Sequence, residues 1–380
     1  MSRPLPTLPL EIILEILRDY DLSDSDLARL CLVSRKILES VRLRLYERIE
    51  VSFVNPEEPS SDPLLDSSTW RLLRTLQDNP ELSLLVEMVD FKYIRLHPVS
   101  PSRISLSIPQ AVSLFLKLVP NFSSVTICNG FRDSLTQMLQ VVGNFAEKIQ
   151  QLCIFTVIER EHNLQAMSLP RLKILAVSHL YDDTGSGYAG LDRLQLLLLS
   201  HSIPPNLRGG LLERSKPNLR DLGINAGAAC TLDYSEFSQL RCLLLKDYKG
   251  SRYASIRHAR GRPNFNKFWS KLRRAPPSLE VLSFDGEPYE DGLEEDLFGN
   301  SIRTGIQLQN ILRIRFEGSI PLERIARLIH APLLPNLRQV VVNYSPRKGE
   351  STAERLSRIE AASTLCSARG IDLLLRGWTG

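Results

Sequence analysis

The chain has 380 residues, of which 43% are hydrophobic and 24% are charged, and its formal net charge is +4. This composition is typical of a globular protein, and the net charge is too small to indicate a nucleic-acid partner. No run of roughly 18 apolar residues occurs, and prolines and glutamates break the apolar N-terminal stretch. We therefore expect no membrane span and no export signal, and we expect the protein inside the cell, in the cytoplasm or the nucleus. The six cysteines contain no C-x-x-C pair, which favours reduced thiols over a disulfide framework or a zinc site.

Residues 8–49 predict three short helices. Pro9 suits the first turn of a helix, where its missing N–H costs nothing. Apolar residues recur at helical spacing in each segment: Ile12, Ile13, Ile16 and Leu17, then Leu27, Leu30 and Cys31, then Ile37, Val41, Leu45 and Ile49. Helices this short bury little apolar surface alone, so the unit is marginal unless something braces it. The segment is thus either a docking module or a plain helical cap that closes the apolar end of the next domain.

The same segment resembles an F-box, the adaptor-binding module of cullin–RING ubiquitin ligases. The resemblance rests on Leu8-Pro9, Glu11-Ile12, Ile16-Leu17, Leu27, Leu30, Val33-Ser34-Arg35 and Leu45-Tyr46. It implies that residues 1–50 dock onto a Skp-type adaptor and, through it, onto the ligase. The docking residues we expect are Leu8, Pro9, Ile12, Ile16, Leu27, Leu30, Val33 and Leu45. Some of them must also form the small internal core.

Residues 51–69 are interpreted as a linker, because 55–68 concentrates prolines, acids and serines. From residue 70 onward a short pattern recurs, in which an apolar anchor is followed by apolar residues three and five positions later. The anchors are Phe122, Ile149, Leu172, Leu191, Leu219, Leu240, Leu279, Ile311 and Leu337, with a weaker copy at Val86. Their mean spacing of about 27 residues lies in the range of leucine-rich repeats.

Proline precedes alternate anchors by two residues, at Pro120, Pro170, Pro217, Pro277 and Pro335. Proline at this position would end a helix and lead into the next strand. Helices are predicted between the strands at Trp70–Leu76, Leu135–Val142, Asn264–Leu272 and Leu322–Ile329.

These patterns predict an α/β fold in which residues 70–380 form an irregular solenoid with a parallel β-sheet and outer helices. The region resembles the leucine-rich-repeat domains of fungal-type F-box proteins, although a regular Asn or Cys after the strand is absent. The alternative is a compact α/β domain whose strands merely look alike.

No motif predicts catalysis, a cofactor or a metal site. Residues 185–190 fit G-x-G-x-x-G, but Asp182 and Asp183 stand where a pyrophosphate would approach, so we interpret them as a loop between repeats. The six histidines are isolated from one another, and no nucleophile or phosphate-loop motif occurs. We therefore expect a protein that is not an enzyme.

Charge is distributed unevenly late in the chain. Residues 246–274 hold ten basic residues and one acid, whereas residues 280–296 hold eight acids and no base. Arginines bind carboxylates and phosphates through paired hydrogen bonds, so Arg252, Arg257, Arg260 and Arg262 are candidate substrate contacts. The alternative is that both runs are solvated surface that pairs with itself.

The sequence thus predicts the substrate-recognition subunit of an SCF-type ubiquitin ligase, in which residues 70–380 hold a protein substrate. A repeat scaffold that binds its partner without ubiquitin transfer is the alternative. RNA binding by residues 246–274 is a third reading, but no RNA-binding motif frames the nearby aromatic residues.

Overall fold

The computed structural model describes most of the chain. The described residues are 12, 24–32, 35–54, 64–94, 106–128, 130–131, 134–158, 169–180, 193–199, 211–246, 265–285, 307–319, 322, 333–343 and 351–376. Contacts divide the chain into two compact units. Unit 1 comprises Met1–Thr156 and Glu161–Arg171, and unit 2 comprises Val157–Arg160 and Leu172–Gly380.

Unit 1 combines short helices with a mostly parallel sheet. Its described helices are α1 (Asp24–Leu30), α2 (Arg35–Glu47), α3 (Ser67–Asp78), α4 (Pro80–Ser83), α5 (Ile108–Leu118) and α6 (Leu135–Gly143). Its strands are β1 (Arg48–Val54), β2 (Leu64–Leu65), β3 (Met88–Ile94), β4 (Ser124–Ile127) and β5 (Gln151–Ile158), the last two residues of β5 belonging to unit 2. Strands β1, β3, β4 and β5 pair in parallel, and the short β2 pairs antiparallel with β1.

Unit 2 continues the alternation of strands with connecting segments. Its strands are β6 (Ile174–Leu180), β7 (Leu196–Leu199), β8 (Asp221–Asn225), β9 (Cys242–Lys246), β10 (Val281–Asp285), β11 (Arg313–Ser319), β12 (Gln339–Asn343) and β13 (Asp372–Arg376). Its described helices are α7 (Leu211–Ser215), α8 (Ala226–Ala229), α9 (Phe265–Leu272) and α10 (Thr352–Ser367). Each strand pairs in parallel with the next along the chain.

Twelve described strands, four in unit 1 and eight in unit 2, therefore run parallel to their neighbours in chain order. This confirms an α/β fold with parallel sheet and is consistent with a leucine-rich-repeat-like solenoid.

Local sequence explains where several helices begin. Before α10, Ser351 and Glu354 form a capping box, in which the Ser351 hydroxyl accepts from the Glu354 N–H (3.3 Å) and the Glu354 carboxylate accepts from the Ser351 N–H (2.9 Å). Ser107 and Gln110 form the same motif before α5. Before α3, the Asp66 carboxylate accepts from the Ser68 N–H (3.0 Å). These contacts satisfy N–H groups that have no partner inside the helix.

Nine of the ten anchors predicted from the sequence are buried, and in each of these nine repeats the strand begins two residues after the anchor. The anchors Val86, Phe122, Ile149, Leu172, Leu219, Leu240, Leu279, Ile311 and Leu337 are at most 6% exposed. Leu191, the anchor predicted for the repeat that contains β7, lies outside the described residues. Strand β7 begins at Leu196, and the buried residue two positions earlier is Leu194. Because this repeat contains a run of leucines, the anchor pattern can be aligned to the sequence in more than one way.

Backbone hydrogen bonds at the strand starts connect consecutive repeats. The backbone carbonyl of the residue just before a strand accepts hydrogen bonds from two successive N–H groups of the next repeat. The Arg220 carbonyl, for example, accepts from Arg241 (2.7 Å) and Cys242 (3.0 Å). The same arrangement recurs at the carbonyls of Glu87, Ser123, Lys173, Gln195, Arg241, Glu280 and Leu312. Each carbonyl uses both lone pairs, which fixes the register of neighbouring strands.

Polar side chains directly before the anchors add a second connection. Each side chain donates a hydrogen bond to the backbone carbonyl of the residue that stands two positions before the anchor of the previous repeat. The bonds run from Asn121 to Leu84 (2.8 Å), from Lys148 to Pro120 (3.0 Å), from Ser278 to Ser238 (3.3 Å) and from Asn336 to Gln309 (2.8 Å). The predicted prolines lie in the same turns. Side chains that precede the strand therefore provide hydrogen bonds to the turn carbonyls. In regular leucine-rich repeats an asparagine or cysteine after the strand has this role.

Replacing Asn336 by Ala is expected to lower the free energy of unfolding by about 0.5–1.5 kcal/mol, the usual net value of one hydrogen bond. Asn310 is a matched control, because it also precedes an anchor but its exposed side chain makes no hydrogen bond to any described residue. Urea denaturation followed by circular dichroism measures both. Equal losses in the two variants would contradict this role of Asn336.

The predicted helices and the predicted linker can be placed on this architecture. Helices α3 and α6 confirm the helices predicted at Trp70–Leu76 and Leu135–Val142, and α9 confirms Asn264–Leu272 apart from Asn264, which lies outside the described residues. Of Leu322–Ile329 only Leu322 is described, and it is helical. Residues 51–54 and 64–65, within the predicted linker, form strand residues in β1 and β2.

Candidate partner-binding site

The strands of unit 2 present two different faces. In β7 and β9 the second and fourth residues are buried, whereas the first and third are partly exposed. In β8, β10 and β12 the first and fifth residues are partly exposed, and the three residues between them are buried. Because side chains alternate along a strand, the first, third and fifth residues share one face, which we call the open face. Parallel sheets are usually covered on both faces, so a partly exposed face is a candidate for contact with a partner.

Two arginines lie side by side on the open face of β11. Arg313 and Arg315 are the first and third residues of the strand, so their side chains leave the sheet on the same side. Both residues are partly buried, and the Nε atom of each is buried without a hydrogen-bond partner among the described residues. A buried charged donor without an acceptor is costly. The pair therefore favours an acceptor beyond the described residues, such as a carboxylate or a phosphate.

The strand register gives the neighbours of this arginine pair. Arg313 lies between Val281 of β10 and Gln339 of β12. Arg315 lies between Ser283 and Val341 in the same way. None of the four neighbours carries a charge, so the adjacent strands supply no counterion at these two levels.

An apolar patch lies on the same face two to four strands away. Leu198 of β7 and Leu244 of β9 are partly exposed and flank Gly223 of β8. A Cβ atom at Gly223 would lie 2.5 Å from Cδ2 of Leu198, so the leucine side chain lies across the glycine. With strands about 4.8 Å apart, Leu244 and Arg315 are separated by about 10 Å. An extended peptide that carries an apolar and an acidic residue matches this arrangement.

Asp221, the first residue of β8, lies on the open face and interacts electrostatically with Arg315 of β11. Burial raises the pKa of Asp221 above its usual value, and the charges of Arg315, Arg220 and Arg241 oppose that rise. Burial is the larger effect. The folded protein therefore holds this carboxylate in an environment that disfavours its charge.

Asp221→Asn is expected to stabilise the protein at pH 7. The unfolded carboxyl has an ordinary pKa near 3.8, and burial raises the pKa of the folded one. As pH rises, the unfolded state ionises first, so stability falls until the pH passes the folded pKa and is not regained. The pH-dependent part of the stability difference between variant and wild type should therefore be largest at neutral pH and vanish as the pH falls below 3.8. A less stable variant at pH 7 would mean that attraction to Arg315 outweighs burial.

In unit 1, the charged side chains at the first, third and fifth positions of β1 and β3 form ion pairs with one another. Arg48 pairs with Asp90, which is 2% exposed, and Lys92 pairs with Glu50. The hydrogen bond from Arg48 to Asp90 raises the pKa of Arg48, and the bond from Lys92 to Glu50 raises the pKa of Lys92. Burial, followed by the negative charge of Asp90, raises the pKa of Cys128. A thiol of raised pKa is a poor nucleophile at neutral pH, so burial disfavours reactivity of Cys128.

The predicted docking residues occupy different environments in the N-terminal helices. Leu27 of α1 (4% exposed) packs with Val41 of α2 (0%) in a small core, against which Leu30 and Leu45 are partly buried. Ile12 is helical and 41% exposed. Leu8, Pro9, Ile16 and Val33 lie outside the described residues. Leu27 is therefore part of the small helical core, whereas the side chain of Ile12 is exposed.

The predicted arginine contacts of the basic segment, Arg252, Arg257, Arg260 and Arg262, lie outside the described residues. The described part of the segment lies partly on the surface. Lys271 donates to the carbonyl of Thr231 (2.6 Å), and Arg273 and Arg274 are exposed. The glycine-rich residues 185–190 also lie outside the described part.

A cavity of about 380 Å³ lies beside the turns that precede β10 and β11. It is lined by Leu272, Arg273, Ala275, Pro276, Leu279, Gln307, Leu308, Gln309, Asn310 and Ile311. None of these residues is a carboxylic acid, a histidine or a cysteine, so the lining holds no general base or thiol nucleophile.

Among the described residues, no group of three or more His, Cys, Asp and Glu side chains is arranged to hold a metal ion. A search of the same residues finds no helix that is both long and apolar enough to span a membrane.

Sequence reasoning did not find the arginine pair on β11. The signal was present in Arg313-Ile-Arg315-Phe316, where charged and apolar residues alternate inside a predicted strand. Alternation of this kind places both arginines on one face and the apolar residues in the core.

No protein-family model matches the sequence, and no curated protein matches it. Among solved structures, the crystal structure of a protein from Bacteroides fragilis is similar over 67% of this chain, with 13% sequence identity and a TM-score of 0.33. The matched region spans 65% of that protein, which is less than two thirds of its length.

Proposed function

We propose that the protein is the substrate-recognition subunit of an SCF-type ubiquitin ligase. The observation that carries this proposal is the F-box-like segment and the apolar surface it leaves exposed. Ile12, Leu32 and Leu43 are 41%, 87% and 44% exposed, whereas Leu27 and Val41 form the small buried core. Exposed aliphatic side chains on a marginal helical unit favour docking onto a partner.

In this proposal the repeat region holds a protein substrate, and the chain contributes no catalytic residue. Its contribution is effective concentration, because a tethered substrate meets the ubiquitin-charged enzyme far more often than a free one. The substrate contacts we propose are Arg313 and Arg315 with the apolar patch beside them. Arg252, Arg257, Arg260 and Arg262 remain predicted contacts.

Affinity purification of the full-length chain from cells tests the proposal. A Skp-type adaptor recovered together with a cullin supports it. An adaptor recovered without cullin supports instead the alternative, a repeat scaffold that acts without ubiquitin transfer. Recovery of neither partner overturns the adaptor-docking claim.

The substrate contacts are tested separately in a chain whose docking is disabled by Leu8→Ala and Pro9→Ala, so that substrates accumulate. Proteins retained by this chain should be lost when Arg313 and Arg315 are both replaced by Ser. Replacement of Arg273 and Arg274 by Ser is the matched control, because these exposed arginines lie outside the open face. Loss in the control but not in the open-face variant would move the substrate contact to the basic segment.

A further inference from the structure

Strand β13 is an exposed edge of unit 2. Among the described strands it pairs only with β12. Asp372, Leu374 and Arg376 are exposed, and Leu374 is 48% exposed despite its apolar side chain. An edge with free backbone groups and exposed leucine is a ready template for another strand.

Backbone geometry determines which groups of β13 are free to pair. The Asp372 N–H donates to the Arg338 carbonyl at the start of β12 (2.8 Å), so it points toward β12. Successive residues of a strand point their backbone groups to opposite sides. The N–H and carbonyl groups of Leu373 and Leu375 therefore point away from β12, toward the open edge.

The sequence of β13, Asp-Leu-Leu-Leu-Arg, is complementary to itself when it is read in the opposite direction. In an antiparallel pair centred on Leu374, Leu373 of one copy exchanges backbone hydrogen bonds with Leu375 of the other. Leu374 then faces its own copy, and Asp372 faces Arg376. These last two are non-hydrogen-bonded positions, where facing side chains come closest.

We propose that β13 pairs with β13 of a second copy of this chain, so that the protein forms a two-fold symmetric dimer. A two-fold interface requires that each contact be matched by its reciprocal, and the Asp372–Arg376 contact satisfies this condition. Parallel addition of another strand would not bring these opposite charges together. In unit 1, by contrast, the two-residue β2 shortens the edge beside β1, which is a common protection against such pairing.

Cysteine cross-linking of the full-length chain tests the pairing. In Leu374→Cys the two sulfurs would face each other across Cα atoms about 4.5 Å apart, within the range of disulfides. We expect a covalent dimer under mild oxidation. Leu356→Cys is the matched control, because Leu356 is 47% exposed on α10 but is not part of the pairing. Equal cross-linking in the two variants would overturn the proposal.

Charge reversal gives an independent test without cysteines. Asp372→Arg or Arg376→Asp alone places like charges opposite each other and should weaken the dimer by about tenfold or more in sedimentation velocity. The double variant restores opposite charges and should restore the dimer. All three changes affect exposed side chains, and circular dichroism checks the fold. A wild-type chain that stays monomeric up to about 100 μM, or a double variant no better than the singles, would overturn the proposal.

Discussion

Ile12→Asp is expected to weaken binding to a Skp-type adaptor by at least about tenfold. Burial of one aliphatic side chain is worth about 1.5–3 kcal/mol, and each 1.4 kcal/mol is a factor of ten in affinity. The substituted carboxylate adds a desolvation cost that no partner group repays. Because Ile12 is 41% exposed in the free chain, the change should leave internal packing largely intact. Calorimetric titration with the purified adaptor measures the loss.

Two controls separate docking from folding. Leu356→Asp alters a leucine of similar exposure (47%) on α10 and should leave adaptor binding unchanged. Leu27→Ala removes a residue that is 4% exposed, so it should weaken binding by loosening α1 and α2 and should also reduce helical stability. Wild-type affinity in Ile12→Asp would remove Ile12 from the docking set.

Trp269→Ala is expected to lower the free energy of unfolding of unit 2 by about 3–5 kcal/mol, the usual cost of truncating a buried aromatic residue. Trp269 is fully buried on α9, with its ring 4.9 Å from that of Phe268. Phe268 in turn lies 6.2 Å, centre to centre, from the ring of Tyr234. Tyr234 is anchored because its hydroxyl donates to the Ala229 carbonyl (2.9 Å). Removal of the indole therefore opens a cavity against an aromatic cluster that cannot easily collapse.

Urea denaturation monitored by circular dichroism and near-ultraviolet signals measures this loss. Ser270→Ala is the matched control, because Ser270 follows Trp269 on the same helix and is exposed. It should change stability by less than about 0.5 kcal/mol. A Trp269→Ala variant as stable as the control would contradict the buried cluster.

The repeat architecture could be predicted from the sequence because its signals are local and redundant. An anchor such as Leu240 is apolar, lies at a fixed distance from its strand, and recurs in every repeat, so one exception does not hide the pattern. Proline at Pro217 or Pro335 marks the same turn independently. The Pro-Asn-Leu at 335–337 also carries Asn336, the polar residue that connects neighbouring turns, and this signal could have been read from the sequence.

Other features depend on neighbours that lie far away in the sequence. The choice between Leu191 and Leu194 as anchor depends on pairing with β6 and β8, because the leucine run fits several frames. Whether Leu27 faces a partner or the interior depends on Val41 from another helix. Arg313 and Arg315 become a candidate site only when the strands beside them prove to be uncharged at that level.

The most direct test of the proposed adaptor docking is calorimetric titration of the purified full-length chain with a purified Skp-type adaptor. We expect saturable binding of one adaptor per chain, and severe loss of that binding in the Leu8→Ala, Pro9→Ala double variant. No binding by the wild-type chain, or equal binding by the double variant, would contradict the proposal that residues 1–50 are an adaptor-docking module.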